Sequence, residues 1–98
     1  FHFAPFMDYY RRGEYENAFA EALKFNLPKV YFDPMMRAAA LGQLERQGEA
    51  KTALDQLLEL EPDFKLRARR MIGRYVKVDD LVDKVVEGLQ KAGVADLK

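Results

Sequence analysis

Asp33 to Pro62, DPMMRAAALGQLERQGEAKTALDQLLELEP, decides the fold because it reads as one complete helical hairpin. Asp33 is a candidate cap for a first helix, and Pro34 suits its first turn, where a missing N–H costs nothing. Ala39, Ala40, Leu44 and their neighbours form one apolar face, and the run around Gln47 and Gly48 interrupts it. Ala50, Ala53, Leu54, Leu57 and Leu58 then make a second face that stops at Pro62. One hairpin cannot bury both faces, so the flanks must supply neighbours.

They supply two. Upstream, Phe3, Phe6, Met7 and Tyr10 recur at helical spacing with Pro5 early, which predicts a short helix over about 4–12. Gly13 and Glu14 end it, and a second helix from Tyr15 to about Asn26 is expected to bury Tyr15, Ala18, Phe19, Ala22 and Leu23 before Leu27 and Pro28. Val30, Tyr31 and Phe32 are too apolar for solvent and are expected to plug the seam between hairpins. Downstream, Asp63 repeats the cap signal, and Phe64, Ala68, Met71 and Tyr75, with Ile72 beside them, form a stripe. Asp79 or Asp80 then caps a last helix with Leu81, Val82, Val85, Val86 and Leu89 on one face, Lys91 in its last turn and Gly93 just beyond. The expectation is therefore all-α: six helices in three antiparallel hairpins, about 4–28, 33–62 and 63–93, within a single domain.

Composition narrows the function. A chain of 98 residues holds one modest core. Basic and acidic residues balance at 16 each, so no net field draws the chain to nucleic acid or an anionic membrane. No apolar run reaches the roughly 20 residues that span a bilayer. Cysteine and serine are absent and there is a single histidine, His2, so no acyl-transfer triad and no thiolate metal site can be assembled from this segment. Such usage fits a reducing compartment, and a cytoplasmic location is the expectation. The chain opens on Phe1, which suggests a segment of a longer polypeptide.

The breaks align internally. Arg12-Gly13-Glu14-Tyr15-Glu16-Asn17-Ala18 lies over Leu44-Glu45-Arg46-Gln47-Gly48-Glu49-Ala50. With Ala38, Leu41, Ala50, Leu54 and Pro62 at the family's offsets, and Tyr9, Gly13, Tyr15 and Ala18 in the first hairpin, the chain resembles the tetratricopeptide repeat family. Pro28 arrives two residues early, Pro34 stands where the family often has tryptophan, Arg37 where leucine is usual, and Glu45 where the turn glycine would be. Lys84 replaces the small residue of the third hairpin, as in a degenerate cap. The resemblance implies a right-handed stack of hairpins, an α-solenoid that binds proteins without catalysis or cofactor. Pro62-Asp63-Phe64 followed by Glu87-Gly88-Leu89-Gln90-Lys91-Ala92-Gly93-Val94 is also similar to the end of repeat regions attached to bacterial nucleotide cyclases and winged-helix regulators. That implies a docking or self-associating segment of a signalling protein.

Two surfaces are candidates. Carried over position by position, the family's concave peptide groove would be lined by Phe3, Met7, Tyr10, Phe32, Met35, Ala39, Arg69 and Gly73, and it would suit an apolar or amphipathic, partly acidic ligand. The alternative for these Met and aromatic positions is core. The second surface is basic: Lys65, Arg67, Arg69, Arg70, Arg74 and Lys77 carry no acidic residue among them, and Arg67, Arg70 and Arg74 share one helical face. They either pair with Glu59, Glu61 or the aspartates of the last helix, or form a docking strip for an acidic partner. Nucleic acid is the weaker version of that strip, since no exposed aromatics are interleaved. Glu59 with Asp63, or Asp79 with Asp80 and Asp83, could hold a hard cation, but capping and solvation account for them and no metal is expected.

Overall fold

The computed structural model describes residues 4–24, 30–94 and 97, which form six helices and no strand. These are α1 (Ala4–Arg11), α2 (Tyr15–Ala22), α3 (Phe32–Gln43), α4 (Gln47–Leu60), α5 (Phe64–Gly73) and α6 (Asp79–Ala92). His2, Phe3 and Pro28 lie outside the described residues.

Three helices end in the same way. After α1, the Gly13 and Glu14 amides donate to the Tyr10 and Tyr9 carbonyls at 3.1 and 2.9 Å. After α3, Glu45 and Arg46 repeat this onto Gly42 and Leu41 at 3.1 and 3.0 Å, and after α6, Gly93 and Val94 do so onto Gln90 and Leu89 at 3.1 and 3.3 Å. This pairing satisfies orphan carbonyls and needs a left-handed residue just past the helix. Gly13 (φ 81°), Glu45 (φ 61°) and Gly93 (φ 124°) supply it. The break in the central hairpin thus falls at Glu45, and Gln47 and Gly48 open α4 instead of interrupting the chain. Glu45 sits at the position aligned with Gly13, in a conformation that costs an L-residue roughly 1–2 kcal/mol.

Asp63 stands at the N-cap of α5 as expected, though without a side-chain hydrogen bond, while the other aspartates do not cap. Tyr31 is the N-cap of α3, and Asp33 lies inside the first turn, buried, accepting from Arg37 Nε at 2.8 Å. Arg37 Nη2 continues to Gln56 Oε1 on α4 at 2.7 Å, which explains an arginine where an apolar residue was usual. Val78 is the N-cap of α6, with Asp79 and Asp80 in the first turn, where their charge opposes the helix dipole. α2 ends at Ala22, and Leu23, expected in the core, is 57% exposed.

Helices α1 to α4 pack in chain order, each against the next. The third hairpin departs from a simple stack. Its α6 makes its most extensive interface with α3, comparable to that between α3 and α4, while α5 meets α6 far more thinly. The result measures 28 × 28 × 24 Å, nearly as thick as it is wide. One buried cluster spans all six helices, with Phe6, Tyr10, Phe32, Met35, Met36, Phe64, Ile72 and Leu89 fully enclosed.

Small residues permit the α3–α6 approach. A Cβ built on Gly42 would lie 2.0 Å from the Gly88 carbonyl oxygen and 2.9 Å from the Ala92 nitrogen. One built on Gly88 would lie 2.5 Å from both the Ala39 carbonyl oxygen and the Tyr10 hydroxyl. Backbone cannot step aside as a side-chain tip can. At Gly48, by contrast, an added Cβ meets nothing within 4 Å.

Alanine at these sites separates the two effects. Helix propensity favours Ala over Gly by up to about 1 kcal/mol, and overpacking costs about 1–3 kcal/mol. Gly42→Ala and Gly88→Ala are expected to lower the unfolding free energy by up to about 2 kcal/mol in urea titration. Gly48→Ala is expected to raise it by a few tenths to about 1 kcal/mol; equal effects at all three positions would contradict the crossing geometry.

Candidate functional site

The expected groove is occupied by the chain itself. Tyr10, Phe32, Met35 and Ala39 have no accessible surface, and Met7 is half-buried. A side chain without exposure cannot meet a peptide, so these four belong to the core. Phe32 packs on Tyr75 with ring centroids 4.4 Å apart, while Tyr10 stacks on Phe6 at 5.5 Å and meets Tyr15 edge-on at 5.2 Å.

Helix α6 is what covers Tyr10 and Ala39. The Tyr10 hydroxyl donates to the Lys84 carbonyl at 2.5 Å. The Gln43 amide donates to the Tyr10 hydroxyl at 3.2 Å, to the Lys84 carbonyl at 3.3 Å and to Glu87 Oε1 at 3.2 Å. Lys84 Nζ reaches the Arg11 carbonyl at 3.0 Å at the end of α1, and Gln47 Nε2 reaches the Lys91 carbonyl at 2.8 Å. α6 therefore lies across α1 and α3 with its own polar clamps. Lys84, where a tetratricopeptide helix would carry a small residue, is one of these clamps. Burial pushes the Tyr10 phenol far above its usual range, against the lowering effect of the Gln43 hydrogen bond.

The basic strip is exposed but is not one row. α5 bends at Arg67, whose φ of −130° and ψ of 20° are not helical, so Arg67 is out of register with Arg70 and Arg74. Arg69 Nη1 pairs with Asp83 Oδ1 at 2.6 Å. Arg74 lies beside Tyr31, whose hydroxyl donates to the buried Met71 carbonyl at 2.9 Å. Lys77 Nζ donates to the Gly73 carbonyl at 2.9 Å at the end of α5. Among the described residues, Lys65, Arg67 and Arg70 form no ion pair. Between them stands Leu66, 66% exposed. The sequence contains the signal for that exposure, because Leu66 falls off the Phe64, Ala68, Met71 stripe.

Gly73 and Arg69, expected in the groove, line a cleft between the end of α5 and the start of α6. Two further hollows lie at Val78 and Lys84 near the end of α1, and between Leu54 and Leu58 of α4 and Val94. Among the described residues no three His, Asp or Glu side chains converge to hold a metal ion, and no helix is long and apolar enough to cross a membrane. No protein-family model, curated protein or solved structure matches the chain.

The clamp on α6 is testable by pH. Tyr10 is raised in the folded state, so its contribution is complete below the unfolded value near 10 and is lost as pH rises above it, at up to about 1.4 kcal/mol per pH unit. Tyr10→Phe is expected to cost about 1–2 kcal/mol at neutral pH and to flatten the alkaline decline in urea midpoints. Tyr31, raised chiefly by burial, leaves a residual slope. Identical alkaline profiles for both proteins would show that Tyr10 ionises freely.

Proposed function

We propose that this chain is a non-enzymatic protein-binding module of tetratricopeptide type, docking its partner on the outer face of α5. The observation that carries this reading is Leu66, 66% exposed and flanked by Lys65, Arg67 and Arg70, none of them ion-paired among the described residues. The opposite face of the same helix buries Phe64, Ala68, Met71 and Ile72, so the surface is held in place by the core without contributing to it. Enclosing Leu66 is worth about 1.5–3 kcal/mol, and the cations act mainly by steering and by rejecting basic partners. The ligand class is thus an apolar or amphipathic, partly acidic protein segment, supplied by a separate partner or by another domain of a larger signalling protein.

A second reading is self-association, favoured by the segregation of charge in a neutral chain. Residues 64–77 carry only cations, while Asp79, Asp80, Asp83 and Glu87 concentrate on α6. Nucleic-acid binding draws less support, because the bend at Arg67 and the Arg69–Asp83 pair break the row of guanidinium groups.

The variant Leu66→Asp/Arg70→Glu tests the docking reading. Partners that co-purify with the wild-type chain are expected to be lost while helical circular dichroism is unchanged, stability moving by no more than about 0.5 kcal/mol. Recovery of the same partners by both proteins would end the assignment to α5. For self-association, light scattering is expected to give a dimer that dissociates as salt is raised; a monomer at low salt removes that reading.

A further inference from the structure

Gly73 has no structural task in the fold. Glycine is the poorest helix former after proline, and where this chain uses it tightly, at Gly42 and Gly88, backbone atoms stand against it. At Gly73 an added Cβ would meet nothing within 4 Å, and its φ is not in the left-handed region. What its bareness does is open the cleft between α5 and α6, a hollow of about 340 Å³. The buried side chains of Val76 and Val82 line it, and Arg69, Lys77, Asp79 and Asp83 stand around them. These four charges cancel in sign, Arg69 being bonded to Asp83 at 2.6 Å, so the mouth offers no net charge and an apolar floor.

The surplus of charge lies beside the cleft. Beyond the bend at Arg67, Arg70 and Gly73 lie one turn apart on the outer face of α5, with Arg74 just past its end, while Leu66 stands before the bend and Lys77 beyond the helix. Leu66 and the Gly73 opening are seven positions apart in the chain, on either side of that bend. A partner helix with an apolar residue for the cleft and carboxylates for the neighbouring Arg70 meets both features, and the missing side chain lets it approach closely.

We propose that the Gly73 cleft receives an apolar side chain of an acidic amphipathic helix on a partner protein, whose carboxylates lie over Arg70. The proposal rests on the protein-binding reading above and adds the anchor point and the chemistry of the ligand.

The test uses the full chain and two synthetic helical peptides of about 16 residues. One carries leucines seven apart among glutamates, and the other has every glutamate replaced by lysine. Fluorescence anisotropy is expected to show micromolar binding of the acidic peptide that weakens several-fold between about 50 and about 300 mM salt, and no binding of the basic one. Gly73→Leu fills the cleft and is expected to weaken the acidic peptide at least about tenfold, while the thermal midpoint holds or rises. Peptide binding that survives Gly73→Leu but not Leu66→Asp/Arg70→Glu overturns the cleft and leaves the α5 docking reading standing. Binding indifferent to both variants, or equal for the two peptides, overturns both, and absence of binding by the acidic peptide overturns the cleft proposal.

Discussion

The contact between the backbones of α3 and α6 at Gly42 and Gly88 sets the arrangement of the other helices. With a side chain at either position the helices could not close, because the nearest atoms are carbonyl oxygens at 2.0 and 2.5 Å from the missing Cβ. Their closeness lets the Tyr10 hydroxyl reach the Lys84 carbonyl and lets Gln43 bridge Tyr10, Lys84 and Glu87. These polar groups would be costly if enclosed without partners, and no buried side-chain polar atom lacks one among the described residues. Close packing and polar satisfaction are thus two results of the same pair of glycines.

That contact also changes which surface is available. In an open stack of hairpins, the face of α1 and α3 would look onto solvent and its Met and aromatic residues could meet a ligand. With α6 laid over Tyr10 and Ala39 and Tyr75 packed on Phe32, these residues and Met35 are enclosed, and the exposed chemistry moves to α5. α5 is joined to the rest more thinly, through Phe64, Met71 and Ile72 and through the Tyr31, Phe32 and Tyr75 rings. It is bent at Arg67 and carries cations that the neighbouring acids only partly pair.

Local features were legible in the residues, and the tertiary one was not. The central hairpin, the apolar stripe of α6 and the left-handed end at Gly93 follow from period and cap chemistry, and the chain is helical as they predict. The seam residues Tyr31 and Phe32 are buried as their apolarity requires. Asp33 misleads because Asp serves a helix start equally well as a cap or as a first-turn charge, and Arg37 decides between them only in three dimensions. Glu45 hides a turn since its side chain does not advertise a positive φ. The path of α6 was the larger gap: Gly42 and Gly88 lie 46 positions apart in the chain, and each alone reads as a tolerated helical glycine. Only as a facing pair do they specify a crossing. The basic residues are visible in the sequence but their pairing is not, since Arg69 meets Asp83 only because α5 and α6 lie side by side.

Magnitudes exclude α6 as a detachable lid over the groove beneath it. Leu81, Val82, Val85, Val86 and Leu89 are all buried, and enclosing five such side chains is worth about 7 to 15 kcal/mol in total. This gross term, opposed by the entropy of ordering the helix, is still large beside the net stability of an ordinary domain, about 5–15 kcal/mol. A ligand that displaced α6 would have to replace this burial as well as the Tyr10, Gln43 and Lys84 hydrogen bonds, which amounts to unfolding the domain in order to bind it. α5 stands differently, since its outer side chains can be covered without releasing anything from the core. Under the proposed protein-binding role, recognition would fall to the side chains that face away from the Gly42–Gly88 crossing, with the small residues at the centre holding the scaffold that presents them.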